Sequence, residues 1–515
     1  MSTAVDVSGT SAQAVGDTKR ILGHPVGLVT LFFTEMWERF SFYGMRAILF
    51  LYMTKSPEVG GLAFDEKYAG LIFGTYASSV YWTPLIGGWL ADKIFGARRA
   101  VLIGGIIIAC GHFSMAFRTM ANFYGGLILI AIGTGFLKPN VSAMVGDLYA
   151  EGDNRRDAGF SIFYMGINLG AFFAPFVCGY LGQKDHPHDW QDWHYGFAAA
   201  GVGMVFGLLQ YVLGGSSLKN VGNKPVKKEQ PDLAQVKKVK EVDYFTIVLS
   251  IGGGVIGFFA GMYFGGEGLL SGLFPGVVGF FVGYISSVLP HLNHDEAKRV
   301  GVIFILFVFS ALFWTSFEQA PTSLTLFADR LTRTSFFSWN FKSSFFQSVQ
   351  PILVIIFAPI FAGIWQMLGK RQPSSPGKFA YGLFFAGLAF AVVAFASTLV
   401  KPGASNLTDA MKLSPLWLIA VYFLQTIGEL CLSPVGLSTT TKLSPARMVG
   451  LMMGVWFLSI SIGDFIAGQL GGRFNEKAEG ALLHLFGVVA IITLAAALVL
   501  AVLTPFIKRL TPRAE

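Results

Sequence analysis

Charge is what this sequence has least of. Only 13% of its 515 residues are Asp, Glu, Lys or Arg, while 53% are apolar. A soluble globular chain carries about one quarter charged residues. The length would allow three or four soluble domains, but this composition cannot give them polar faces. The apolar excess also excludes an intrinsically disordered chain. Cysteine is scarce: Cys110, Cys178 and Cys431 each lie in an apolar run, which leaves no disulfide framework of a secreted domain. Motifs of catalysis are missing as well. No HExxH or CxxC offers a metal site. Nothing of Walker type would make ATP the energy source, and Gly133-x-Gly135 lacks the strand-to-helix context of a nucleotide loop. With no nucleophile–base pair inside an apolar run, a membrane-embedded hydrolase is disfavoured, and the expectation is that the chain is not an enzyme and needs no cofactor.

What remains is a polytopic membrane protein. About 20 apolar residues cross the hydrocarbon core, and fourteen such stretches run between residues 26 and 507, the ninth of them over 299–328. The polar first 20 residues do not read as a removable signal. The gap 215–243 carries seven lysines and reads as a solvated tether. The expected organisation is a tail at 1–20, a six-helix bundle at 21–214, a linker at 215–243, an inserted hairpin at 244–297, a second six-helix bundle at 298–507 and a tail at 508–515. Most of the lysines and arginines fall in alternate loops on the side of the N-terminus, among them Lys93, Arg98, Arg99, Arg155, Arg156, Lys298, Arg299, Lys370, Arg371 and Arg447. By the positive-inside rule both termini are expected in the cytoplasm. The same bias accounts for the net charge of +8, so no nucleic-acid partner is expected. The expected partners are small solutes, protons and membrane lipids, with no obligate protein partner evident.

The two halves resemble each other. Gly133 to Pro139 parallels Gly428 to Pro434, Tyr164 to Gly170 parallels Phe457 to Gly463, and Pro84 and Gly88 parallel Pro359 and Gly363. Offsets that change only by loop lengths suggest two parallel repeats with a site between them, the pattern of the major facilitator architecture. The expected fold is therefore an all-α polytopic membrane protein with two six-helix bundles plus the inserted hairpin, fourteen transmembrane helices in all.

An ionisable residue inside a span costs at least about 2.5–3.5 kcal/mol and marks function by default. In the first span Glu35, Arg39, Phe42, Tyr43 and Arg46 share a face at about 100° per residue, with Glu38 at its edge. Such a face can exchange a proton and grip a carboxylate. Lys138 stands alone in the fourth span and Glu429 alone in the tenth helix of the two-half core, four residues before Ser433. The repeat puts these two on pseudo-symmetric helices, so they are expected to meet across a central cavity, where structural pairing is the blander role. Glu318 lies mid-way in the first span of the second half, and is expected to pair with Arg46. Asp464 has no evident charge partner and reads either as a buried neutral acid bonded to backbone or as a functional carboxyl. Asp92, Lys93, Arg98 and Arg99 follow Gly87-Gly88-Trp89 and read as a gate or structural latch. Among the eight histidines only His112 is well inside a span, where a structural role is expected.

Taken together these segments resemble the proton-dependent oligopeptide transporter (POT) family of the major facilitators, bacterial type. Its first-helix motif appears as Glu35-Met-Trp-Glu38-Arg39-Phe40 and its fifth-helix motif as Phe163-Tyr164-Met-Gly-Ile-Asn168-Leu-Gly170. The motifs at Gly135 to Asn140, Phe313 to Gln319 and Gly428 to Pro434 match as well, so the likeness spans roughly 26–471, and an inserted helix pair is typical of bacterial members. The resemblance implies proton symport of di- and tripeptides by alternating access in the bacterial inner membrane. It implies that Arg39, Arg46 and Lys138 take the peptide carboxylate, and that Glu429 faces the amino group with Ser433 nearby. Tyr43, Tyr76, Tyr164 and Asn168 would meet the peptide backbone, Trp314 and Trp456 would line side-chain pockets, and Glu35, Glu38, Arg39 and Glu318 would couple protons. Departures are Gln350 before Pro351, where relatives often have asparagine, and Asp464, where an amide is more usual. No histidine stands in 67–91, which leaves protonation to carboxylates. A carrier of another small anion or zwitterion, such as nitrate or an amino-acid derivative, is the nearest alternative; a receptor would want a soluble output domain.

Overall fold

The computed structural model describes residues 20–150, 152–183, 192–218, 221–223, 244–266, 268–336, 338–400 and 411–510. The expected tail at 1–20 (but for its last residue), most of the linker at 215–243, Glu267 and the end of the tail at 508–515 lie outside the described residues.

In lipid every backbone polar group has to be satisfied within its own segment, and the apolar stretches accordingly form helices. In chain order these are α1 (Gly27–Thr54), α2 (Glu66–Leu90), α3 (Ala97–Met115), α4 (Met120–Asp147) and α5 (Arg156–Gly182). Then come α6 (Asp192–Leu213), α7 (Tyr244–Gly265), α8 (Leu269–Val288), α9 (His294–Phe317) and α10 (Ser323–Leu331). The last five are α11 (Val349–Leu368), α12 (Ser375–Ser397), α13 (Leu416–Leu443), α14 (Val449–Gly471) and α15 (Ala481–Leu510). Twelve of them, α3 to α9 and α11 to α15, are long and apolar enough to cross a membrane. Helix α1 has 28 residues and α2 has 25, ample length for a span, but Glu35, Glu38, Arg39 and Arg46 load α1 with charge.

One expected element is divided. The stretch read as a single span over 299–328 breaks at Glu318–Thr322 into α9 and the nine-residue α10. Pro321 lies in the break, where its missing N–H and its ring disfavour a continuous helix. Gln319 spans the gap, donating from Nε2 to the Thr315 carbonyl at 3.1 Å and accepting from Ser323 Oγ at 2.9 Å. Glu318 is therefore not mid-helix; it caps the C-terminus of α9, its N–H bonded to the Trp314 carbonyl.

The helices gather into two compact units, and the division runs through α1, α2, α5 and α6. The first holds residues up to Phe42, Thr83–Ala171 and the segment from Ala198. Leu31, Val101, Leu137, Val141, Met144 and Met204 are buried in its core. Arg98 fastens the start of α3 to the turn after α6, donating from Nη2 to the Gly215 carbonyl at 2.8 Å. Leu218 and Val221, beyond that turn, are also buried.

The second unit holds Tyr43–Trp82, Phe172–Phe197 and everything from α7 onward. Its core contains Leu306, Phe313, Phe379, Leu383, Leu432 and Met452. Glycine lets α2 and α14 touch backbone to backbone: a Cβ on Gly70 would stand 2.3 Å from the Gly468 carbonyl oxygen. Small residues at such crossings are the usual means of association in lipid, where no hydrophobic force separates helix from solvent. Helices α7 and α8 pair along a similar glycine seam, and Phe274 of α8 stacks on Phe465 of α14 at 4.6 Å. At the opposite end of α8, a capping box of Asn293 and Glu296 starts α9, and Arg447 donates to Glu296 at 2.6 Å.

Candidate functional site

In the first unit the charged face of α1 folds onto itself. Arg39 donates from Nη2 to Glu38 Oε1 at 2.7 Å and from Nε to Glu38 Oε2. The same Nε lies 3.3 Å from Glu35 Oε1, one helical turn back. All three side chains are buried, Glu38 completely. One guanidinium thus serves two carboxylates, and among the described residues Glu35 Oε2 has no hydrogen-bond partner. Lys138 of α4 acts on Glu35 through space. The Phe42 ring sits 5.2 Å from the Arg39 guanidinium, a cation–π contact. On α5, Asn168 commits its amide to the Tyr164 carbonyl at 3.1 Å, and the Tyr164 side chain is exposed. His112 of α3 is fully buried, with neither ring nitrogen hydrogen-bonded among the described residues.

The second unit carries two further groups. Arg46 of α1 and Glu318 make a direct ion pair, the pairing read from the sequence. Arg46 Nη2 also stands 3.5 Å from Asp464 Oδ1 on α14, and its guanidinium lies 5.7 Å from the Phe73 ring of α2. Asp464 is therefore not an acid waiting for a backbone partner: it flanks a cation supplied by another helix. Tyr81 of α2 is close enough to feel Glu318, Asp464 and Arg46. Sequence reading missed Tyr81 and the Arg46–Asp464 contact because helix pairing brings them together and spacing along one chain does not. Only the isolation of Asp464 in an apolar run could have flagged it.

The other group centres on Glu429 of α13, half-buried, whose Oε2 accepts from Gln350 Nε2 of α11 at 3.1 Å. The glutamine that departs from the family pattern is thus a holder of Glu429. Ser433 is half-buried one turn further along α13. Trp456 lies under Gly436, where a Cβ would come within 1.9 Å of a ring carbon, so glycine is what lets α13 close over the indole. Trp314 is buried between Phe313 and Phe317, with Nε1 lacking a hydrogen-bond partner among the described residues. Tyr76 is buried on α2 and Tyr43 half-buried on α1. Among the described residues no three His, Cys, Asp or Glu side chains are placed to hold a metal.

Buried charges of both signs in apolar helices, a broken helix ending on an acid and a half-buried carboxylate held by an amide of another helix describe a membrane carrier of polar solutes. Comparison with known proteins agrees. The model of the POT family matches residues 98–239 and 282–511. A peptide transporter of Yersinia enterocolitica is 39% identical over 510 residues, covering 96% of this chain and 96% of that protein. A di-/tripeptide transporter of Lactococcus lactis subsp. cremoris is 36% identical, covering 95% of this chain and 97% of its own. The crystal structure of a peptide transporter POT in complex with sulfate superposes with a TM-score of 0.81 at 40% identity, covering 96% of this chain and 98% of that one. The fold is accordingly almost entirely helical, with two short two-stranded hairpins, and of the major facilitator type. Matched by the family model over most of its length, and by relatives from end to end, the chain belongs to the POT family of transporters.

Proposed function

We propose that this transporter imports di- and tripeptides together with protons. The observation that carries the reading is the provision of buried or half-buried charge for both ends of a zwitterion. Arg39, Lys138 and Arg46 supply cations for a carboxylate, and Glu429, steadied by Gln350, supplies an anion for an amine. The relatives described as peptide and di-/tripeptide transporters support the substrate class. Tyr43, Tyr76, Tyr164 and Asn168 line the peptide backbone, and Trp314 and Trp456 accept side chains through stacking and apolar contact. Ser433 assists Glu429. Recognition of termini and backbone, which all short peptides share, gives broad specificity.

Protons enter through carboxylates. Among the described residues Glu35 Oε2 has no hydrogen-bond partner, Glu38 and Arg39 hold each other, and Glu318 pairs with Arg46. Protonating Glu318 cancels that pair and frees α1 from α9, which makes conformation and proton affinity functions of each other. The bundles at 21–214 and 298–507 alternate access, with 215–243 as the tether and 244–297 as the inserted pair, fourteen spans in all. The protein resides in the bacterial inner membrane among its lipids, both termini in the cytoplasm.

The test is uptake of labelled dialanine by the purified protein in liposomes. Accumulation is expected when the outside is acid, and peptides amidated at the C-terminus or acetylated at the N-terminus are expected to compete poorly. A charge-assisted hydrogen bond contributes roughly 1.5–3 kcal/mol, so each blocked terminus weakens binding by at least about tenfold. Equal uptake with and without a proton gradient excludes symport. Equal competition by both blocked peptides excludes the two-ended grip.

A further inference from the structure

Arg46 is one cation between two acids. Its guanidinium pairs with Glu318 and lies 3.5 Å from Asp464 Oδ1, and all three side chains are more than nine-tenths buried. Among the described residues, the groups that act on one another here include Arg46 and Tyr43 of α1, Tyr81 of α2, Glu318 at the end of α9, Asp464 of α14, and Glu429 of α13, which acts on Glu318. From the hairpin, α8 presents the apolar ring of Phe274 to Phe465, the neighbour of Asp464.

Among themselves these three groups do not balance. With both carboxyls ionised, Arg46, Glu318 and Asp464 carry one excess negative charge inside the membrane span. Glu429 adds another acid, which accepts a hydrogen bond from the neutral Gln350 amide. A phenol supplies no positive charge to offset it. One guanidinium gives a full countercharge to only one of two carboxylates at a time.

We propose that Asp464 is a second proton-binding carboxyl of this transporter, sharing one proton with Glu318 and taking over Arg46 when Glu318 is protonated. The inference rests on the proton-coupled reading above and adds a site to it. The step is proton transfer alone. In the first state of this scheme Glu318 is the ionised partner of Arg46 and the proton sits on Asp464. When the proton moves to the Glu318 carboxylate, that ion pair dissolves and the guanidinium turns to the Asp464 carboxylate. A second proton, taken from the side the cluster faces, neutralises Asp464 and leaves Arg46 free of both. The takeover has a specific consequence. In Glu318→Gln, Arg46 still has an ionisable partner, so response to the proton gradient survives in a chain that carries Asp464.

The test joins a spectroscopic and a transport measurement on the full chain in liposomes. Asp464→Asn preserves size and shape, and peptide exchange at equal pH on both sides reports that each variant is folded. Near neutral pH, infrared spectra of the wild type are expected to show a protonated-carboxyl C=O band that Asp464→Asn removes. Glu318→Gln is expected to keep gradient-driven uptake of dialanine at least tenfold above the Glu318→Gln/Asp464→Asn double variant. A band left unchanged by Asp464→Asn, or uptake by Glu318→Gln no greater than by the double variant, overturns the proposal. If the wild type shows no gradient-driven uptake, the proton-coupled reading fails instead, and the infrared comparison still decides whether Asp464 holds a proton.

Discussion

In the proposed function Glu429 meets the peptide amine, and one neighbour governs how firmly it is held. Gln350 donates to it at 3.1 Å from the first turn of α11. Removing a partner from a partly buried carboxylate leaves that acceptor to find another, at a cost of about 1–3 kcal/mol. Gln350→Leu keeps the side-chain volume and removes the donor. Its expected effect is a loss of about tenfold in dialanine affinity, with N-acetylated dialanine, which has no amine to place, unaffected. Equal losses for both peptides would mean that Gln350 acts on the fold and not on Glu429. The candidate site was legible to just this degree. Glu35, Glu38, Arg39, Lys138, Glu318 and Glu429 declare themselves because charge inside apolar runs is expensive and visible. The partners of Asp464 and Gln350 do not, because they come from other helices and an amide before a proline is silent about what it will touch.

Helices in lipid have no solvent to drive them together, so their contacts depend on shape, and glycine sets the shape here. A Cβ on Gly468 would lie 2.5 Å from the Gly70 carbonyl oxygen and 2.6 Å from Gly74 Cα. Backbone cannot swing aside as a long side chain can, so α2 and α14 must separate to admit a methyl group. Overpacking of this kind costs about 1–3 kcal/mol. Gly468→Ala is therefore expected to lower the thermal midpoint of the detergent-solubilised protein by several degrees. Gly252→Ala on α7, where a Cβ would meet nothing within 4 Å, serves as the control and should leave it unchanged. Element by element, the sequence was a good guide wherever length and apolarity decide, as for α3 to α8 and α11 to α15. It erred at 299–328, where Pro321 ends one helix and Gln319 bonds both sides of the break. The apolar content on either side runs on without interruption, so hydropathy alone cannot see it.

At the scale of the molecule, ion pairs tie the ends of the second unit's helices. Lys55, just past α1, meets Asp329 of α10 at 2.5 Å, and Arg330 reaches Glu66 of α2 at 2.9 Å and Glu476, before α15, at 3.0 Å. These groups are partly exposed, and isolated pairs of that kind contribute only about 0–1 kcal/mol each. Weak, numerous and set at the rim, they suit a contact that has to break in every cycle far better than a permanent weld. The deeper Arg46–Glu318 pair lies on the same two elements, α1 and the broken α9–α10, so both contacts are expected to part together. A reversible tether tests this. With Lys55→Cys and Asp329→Cys joined by a cleavable bifunctional thiol reagent, α1 stays fixed to α10 while each ion-pair partner is replaced only at the rim. Uptake of dialanine is expected to stop on cross-linking and to return once the bridge is reduced. The uncross-linked double variant should transport at close to the wild-type rate, because a partly exposed pair contributes so little. Undiminished uptake by the fully cross-linked protein would show that α1 and α10 move as one body, and that the solute enters by a separation elsewhere.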